Sequence, residues 1–89
     1  MMSNYSVVNA KALKKYGRPV YISNRKNKKY MISDNSGKVV HFGDSRYEDF
    51  TVHNDPIRRA RYLARATKIS GAWRNKEFSP NNLSINLLW

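Results

Sequence analysis

The chain has 89 residues, no cysteine, and 17 Lys and Arg against 6 Asp and Glu, for a net charge of +11. That length allows one small domain with a single modest core, and the lack of cysteine excludes disulfide stapling and thiolate metal sites. No apolar run approaches the ~20 residues of a membrane span and no apolar h-region opens the chain, so a soluble protein without signal peptide or membrane partner is expected.

In chain order, residues 1–17 mix Ser, Asn and Lys around Val7, Val8, Ala10, Ala12 and Leu13. They read as a flexible or short-helical segment that Gly17 stops, ahead of a single α+β domain over 18–89. Residues 19–23 (PVYIS) are rich in β-branched and aromatic side chains and read as a short strand. A polar run over 24–29 follows as a turn, carrying Arg25, Lys26, Lys28 and Lys29. Residues 29–33 (KYMIS) and 38–42 (KVVHF) flank Asp34-Asn35-Ser36-Gly37, which predicts a β-hairpin spanning 29–42.

Residues 41–55 (HFGDSRYEDFTVHND) then form an acidic island. They hold four of the six acids and both histidines but only one of the 17 cations. Tyr47 and Phe50 read as core anchors of a short helical turn, with Glu48 and Asp49 exposed. Next, Asn54 or Asp55 can cap a helix that Pro56 opens and that runs to about Ile69. At 100° per residue, Ile57, Ala60, Leu63, Ala64 and Thr67 share one stripe, which predicts the core-facing side. Arg58, Arg61, Arg65 and Lys68 share the neighbouring face, and no acid from Pro56 to Lys76 relieves them. The ending, with Trp73, Phe78, Leu83, Ile85, Leu87, Leu88 and Trp89, is too apolar to float in water and is expected to dock on the core or on a partner.

The helical cation row is the strongest functional signal, because an Arg fork matches phosphate oxygens and aligned charges can follow a nucleic-acid backbone. Arg25, Lys26, Lys28 and Lys29 form a second cluster. The bland alternatives are a solvated face, or an island that neutralises one of the two clusters as an ion-pair network. His41, Asp44, His53 and Asp55 are metal-ligand types, and a His beside carboxylates could serve a small metal-dependent nuclease. Their spacing matches no metal motif, so capping and turn roles are the expected ones, with no catalytic, metal or cofactor site. Tyr21, Tyr30 and Phe42 fall on predicted strands, where they could stack on bases or fill the core.

The strings Lys29-Tyr30-Met31, Gly37-Lys38, His41-Phe42-Gly43 and Tyr47-Glu48-Asp49-Phe50-Thr51 carry a resemblance. With His53, Asp55, Arg58-Arg59, Tyr62-Leu63, Arg65, Ile69, Gly71, Trp73, residues 79–84 (SPNNLS) and Leu88-Trp89, they cover roughly 28–89. The chain resembles a family of small basic proteins carrying a domain of unknown function, encoded by giant nucleocytoplasmic DNA viruses, virophages and some phages. Asn54 departs from the commoner His-Lys-Asp form of the family string. The resemblance implies a viral protein of the virion or the infected cell's interior, and no activity to carry over. The combined expectation is an α+β domain with a small antiparallel sheet, one basic helix over 56–69 and an aromatic C-terminal segment. Functionally, a non-enzymatic protein is expected that contacts nucleic acid, DNA above all and without sequence readout, through Arg58, Arg61, Arg65 and Lys68 assisted by Arg25, Lys26, Lys28 and Lys29. The alternative is a minor capsid or cement protein whose cations meet acidic coat-protein surfaces. An exposed tail would mark that case.

Overall fold

A computed structural model describes residues 3–71 and 73–89. The fold is α+β: a three-stranded antiparallel sheet with helices packed on it. Helix α1 (Tyr5–Tyr16) starts where the Asn4 side chain accepts from Val7 N and ends at Gly17, in the left-handed region. Strand β1 (Tyr21–Ile22) pairs with β2 (Lys28–Ser33), which pairs with β3 (Val39–Asp44), giving the order β1-β2-β3. The hairpin expected from the sequence is present. Its register sets Tyr30 opposite Phe42 and Ile32 opposite Val40. The Asp34 carboxylate closes the turn by accepting from Ser36 N at 2.9 Å and Lys38 N at 2.9 Å.

Tyr30, Ile32 and Phe42 are fully buried with Val8 and Ala12 of α1, Val20, and Leu83, Leu87 and Leu88. One core therefore joins α1, the sheet and helix α4 (Pro80–Leu87). Of the three strand aromatics offered as stacking surfaces, Tyr30 and Phe42 are spent on this core, and Tyr21 remains exposed on the edge strand. Alternation decides this, since residues 30, 32 and 42 fall on the face that the helices cover. The C-terminal segment docks as expected, with Leu87 and Leu88 buried and Trp89 half-buried.

Helix α2 (Phe50–His53) is a single turn capped by Asp49, whose side chain accepts from Thr51 N. Asn54 ends it at φ 53°, a conformation that Asn tolerates better than Lys. Helix α3 (Pro56–Ala66) follows, with Asp55 Oδ1 accepting from Ile57 N at 2.9 Å and Arg58 N at 3.3 Å. The expected stripe of α3 is not the one that packs. Ile57 is 65% exposed and Ala60 and Ala64 face out, whereas Ala66 is buried and Tyr62 and Leu63 are half-buried. The helix is turned by roughly a third of a turn from the expected seating. The cause is Trp89, whose ring stacks on Tyr62 at 4.1 Å and whose carbonyl accepts from Arg59 Nε at 2.8 Å. One flat aromatic stack outweighs a stripe in which only Ile57 and Leu63 are large, and of these Leu63 still packs in the new seating.

Candidate nucleic-acid interface

Turning α3 towards Trp89 aims its cation row into a cleft. Arg58, Arg61 and Arg65 form one wall of a space of about 1130 Å³. Lys28 and Gly43 of the hairpin lie across it, Ser84 of α4 and Leu88 just past its end line its inner end, and Tyr47 and Glu48 stand at its lip. The two cation clusters thus meet in part: Lys28 joins Arg58, Arg61 and Arg65, whereas α3 ends at Ala66 rather than at the expected Ile69 and leaves Lys68 off the helix. Lys68 and Lys26 are exposed outside this lining, and Arg25 lines a second cleft.

Lys29 requires correction as a surface phosphate contact. Its side chain is 2% exposed and its Nζ lies 2.7 Å from Asp49 Oδ2. An ammonium so deep cannot reach a polyanion, and it is stable there only because a carboxylate meets it. Asp49 also accepts from the Ser3 and Thr51 hydroxyls and from Thr51 N. Burial pushes its pKa up, but the bonds from Lys29, Ser3 and Thr51 outweigh that and hold it below the usual carboxylate range. Asp49 was expected on the surface. It is instead the buried knot between β2 and α2.

The rest of the island is likewise engaged. Asp44 is held at about 2 by its hydrogen bonds from Arg46. Glu48 lies 3.5 Å from Arg58. The island therefore answers part of the positive charge, Lys29, Arg46 and Arg58, and leaves the rest. Among the described residues, Lys28, Arg61 and Arg65 have no carboxylate within 4 Å, so the lining, which also holds Asp44, Glu48 and Asp49, keeps a positive excess.

His41 and His53 are far apart in role. His41 Nδ1 is 2.7 Å from Ser23 Oγ, and desolvation, then the charges of Arg25 and Lys28, lowers its pKa. His53 accepts from Asp55 N through Nδ1 at 2.9 Å and packs 5.1 Å from the Trp89 ring. Among the described residues no three His, Asp or Glu side chains gather as a metal site. Asp44 belongs to Arg46 and Asp55 to the cap of α3.

Sequence reasoning missed Tyr47, which it placed in the core. Tyr47 is 65% exposed, and the Arg46 guanidinium lies 5.9 Å from its ring centroid. The available signal was its position: it stands between Arg46 and Glu48, one residue before the strongly polar pair that ties the loop down, whereas Phe50 packs against His53 and Arg59. Lys38 and Lys76 of the second cleft were also missed, because nothing local links the hairpin turn to the C-terminal segment.

Among the described residues no helix is long and apolar enough to cross a membrane. No curated protein and no solved structure matches the chain. Residues 19–66, from β1 to the end of α3, match a protein family described as a family of unknown function (DUF5754). That stretch contains Lys28, the Lys29–Asp49 pair, Tyr47 and the whole Arg58–Arg65 wall, and it leaves out α1 and α4. With more than half of its length matched, the chain belongs to the DUF5754 family.

Proposed function

We propose that this is a non-enzymatic viral protein that binds nucleic acid through phosphate contacts, in the virion or during genome packaging. The observation that carries the reading is the convergence of Lys28, Arg61 and Arg65, without carboxylate partners, on one cleft of a protein with a net charge of +11. Arginine forks aligned along a helix meet successive phosphates, and each phosphate neutralised releases condensed counterions. Arg58 assists, sharing its charge with Glu48. Lys68, Arg25 and Lys26 add field from the surrounding surface. The viral setting rests on the resemblance of the HFG and YEDFT strings. The alternative, a cement protein gripping acidic coat proteins, draws no support from the tail: Leu87 and Leu88 are buried and Trp89 is stacked on Tyr62.

A fluorescence-anisotropy titration of labelled oligonucleotide at low salt tests the reading. The wild type should bind, and the Arg61→Gln/Arg65→Gln variant should bind at least about tenfold more weakly at a urea midpoint no lower than that of wild type, as expected for two lost charge-assisted contacts. Absence of wild-type binding at low ionic strength would remove the proposal.

A further inference from the structure

We propose that the nucleic acid is single-stranded, its backbone lying in the basic cleft and a base stacked on the Tyr47 ring. The inference rests on the phosphate-binding reading above and adds what kind of strand the site takes. Tyr47 is a large aromatic side chain, 65% exposed, on the lip of the cleft, and it contributes nothing to the core. With Arg46 5.9 Å from its centroid, it offers the two kinds of flat surface on which unstacked bases lie, an aromatic ring and a guanidinium. A duplex keeps its base faces stacked inside and has none to give such a ring.

The shape of the site points the same way. Its cations line a concavity of about 1130 Å³, slightly above the size that encloses a drug-sized ligand, so single nucleotides can enter where a double helix would meet only the rim. The basic lining also continues. A second cleft of about 950 Å³ shares Ile69, Pro80 and Asn81 with the first and adds Arg25, Lys38 and Lys76 against one acid, Asp34, whose carboxylate is taken up by the hairpin turn. Trp73 lines this second cleft, with Arg74 4.7 Å from its ring centroid. An extended strand crossing the saddle at Ile69 and Pro80 would meet cations on both sides and an aromatic ring in each cleft. That is the combination of charged groove and stacking side chain that binds single strands without reading sequence. Because Tyr30 and Phe42 are buried, stacking falls to side chains outside the sheet.

The test compares oligothymidylate of about 20 nucleotides, longer than the ~4–16 that a small single-strand domain covers, with a duplex of the same length at the same salt. Binding of the full chain is read by anisotropy for wild type, Tyr47→Phe and Tyr47→Leu, each with its urea midpoint checked. The single strand should bind more tightly than the duplex. Tyr47→Leu should weaken the single strand by roughly 5- to 150-fold, the worth of one stacked base, with the duplex unchanged, and Tyr47→Phe should retain binding. Duplex binding as tight as the single strand, or a Tyr47→Leu effect that is absent or equal on both, overturns this proposal. The phosphate reading then stands if Arg61→Gln/Arg65→Gln still weakens binding at least about tenfold. No binding of either nucleic acid overturns the phosphate reading and this inference with it.

Discussion

Lys29 and Asp49 lie at the floor of the basic cleft, both nearly inaccessible, and each makes the other tolerable. Replacing Asp49 by Asn strands an ammonium in the interior, which should destabilise the fold by about 3–5 kcal/mol in urea unfolding. A Lys29→Met/Asp49→Leu pair should cost much less, because no buried charge is left unanswered. The pair also sets the acid response. Asp49 is held below the unfolded carboxylate value of about 3.9, so its stabilisation is complete above that pH and is lost as pH falls through the folded value. Wild type should therefore lose stability steeply below about pH 4, and Asp49→Asn should lose less over the same interval. Gly43 is the other decisive residue. At φ +80°, a Cβ there would lie 2.9 Å from Leu88 Cδ1 and 3.2 Å from Lys29 Cβ. Gly43→Ala should cost about 1–3 kcal/mol of stability through backbone strain, with further loss from pushing α4 off β3.

At the scale of elements, α3 takes its orientation from the end of the chain. Trp89 stacks on Tyr62 and its carbonyl holds Arg59, which fixes which helical face meets the cleft. Trp89→Ala should lower stability on the order of 2 kcal/mol. It should also weaken nucleic-acid binding, because the Arg row loses its aim. The hairpin, the cap at Asp55 and the start of the basic helix were legible in the sequence, since each is written in local chemistry: a Gly-ended polar turn between β-prone runs, and a carboxylate before proline; the helix end was not, for α3 stops at Ala66 rather than Ile69 and leaves Lys68 beyond it. The seating of α3 was not, because periodicity ranks apolar residues by spacing and cannot see a tryptophan 27 residues beyond Tyr62 that stacks on it and draws the other face inward. The row Arg58, Arg61 and Arg65 was legible for the same local reason. Lys29 was not, because its burial follows from a partner 20 residues away. Tyr47 was misplaced because an aromatic side chain is by default a core residue, and only the packed fold shows its ring left outside.

For the whole molecule, charge sets two opposing salt responses. A net charge of +11 with three ion pairs among the described residues leaves the folded protein repelling itself. Raising salt from about 0.05 to about 0.3 M shortens the Debye length and should raise the urea midpoint, while the same change should weaken the proposed binding to nucleic acid. A protein whose cations were matched internally would show neither trend. The most direct measurement of the central claim is the slope of log K against log salt for single-stranded oligonucleotide, in wild type and in Arg61→Gln/Arg65→Gln. At about −0.7 per phosphate neutralised, the wild-type slope should be steep and should flatten by about 1.4 in the double variant. A slope near zero in the wild type, or the same slope in both proteins, would contradict the claim.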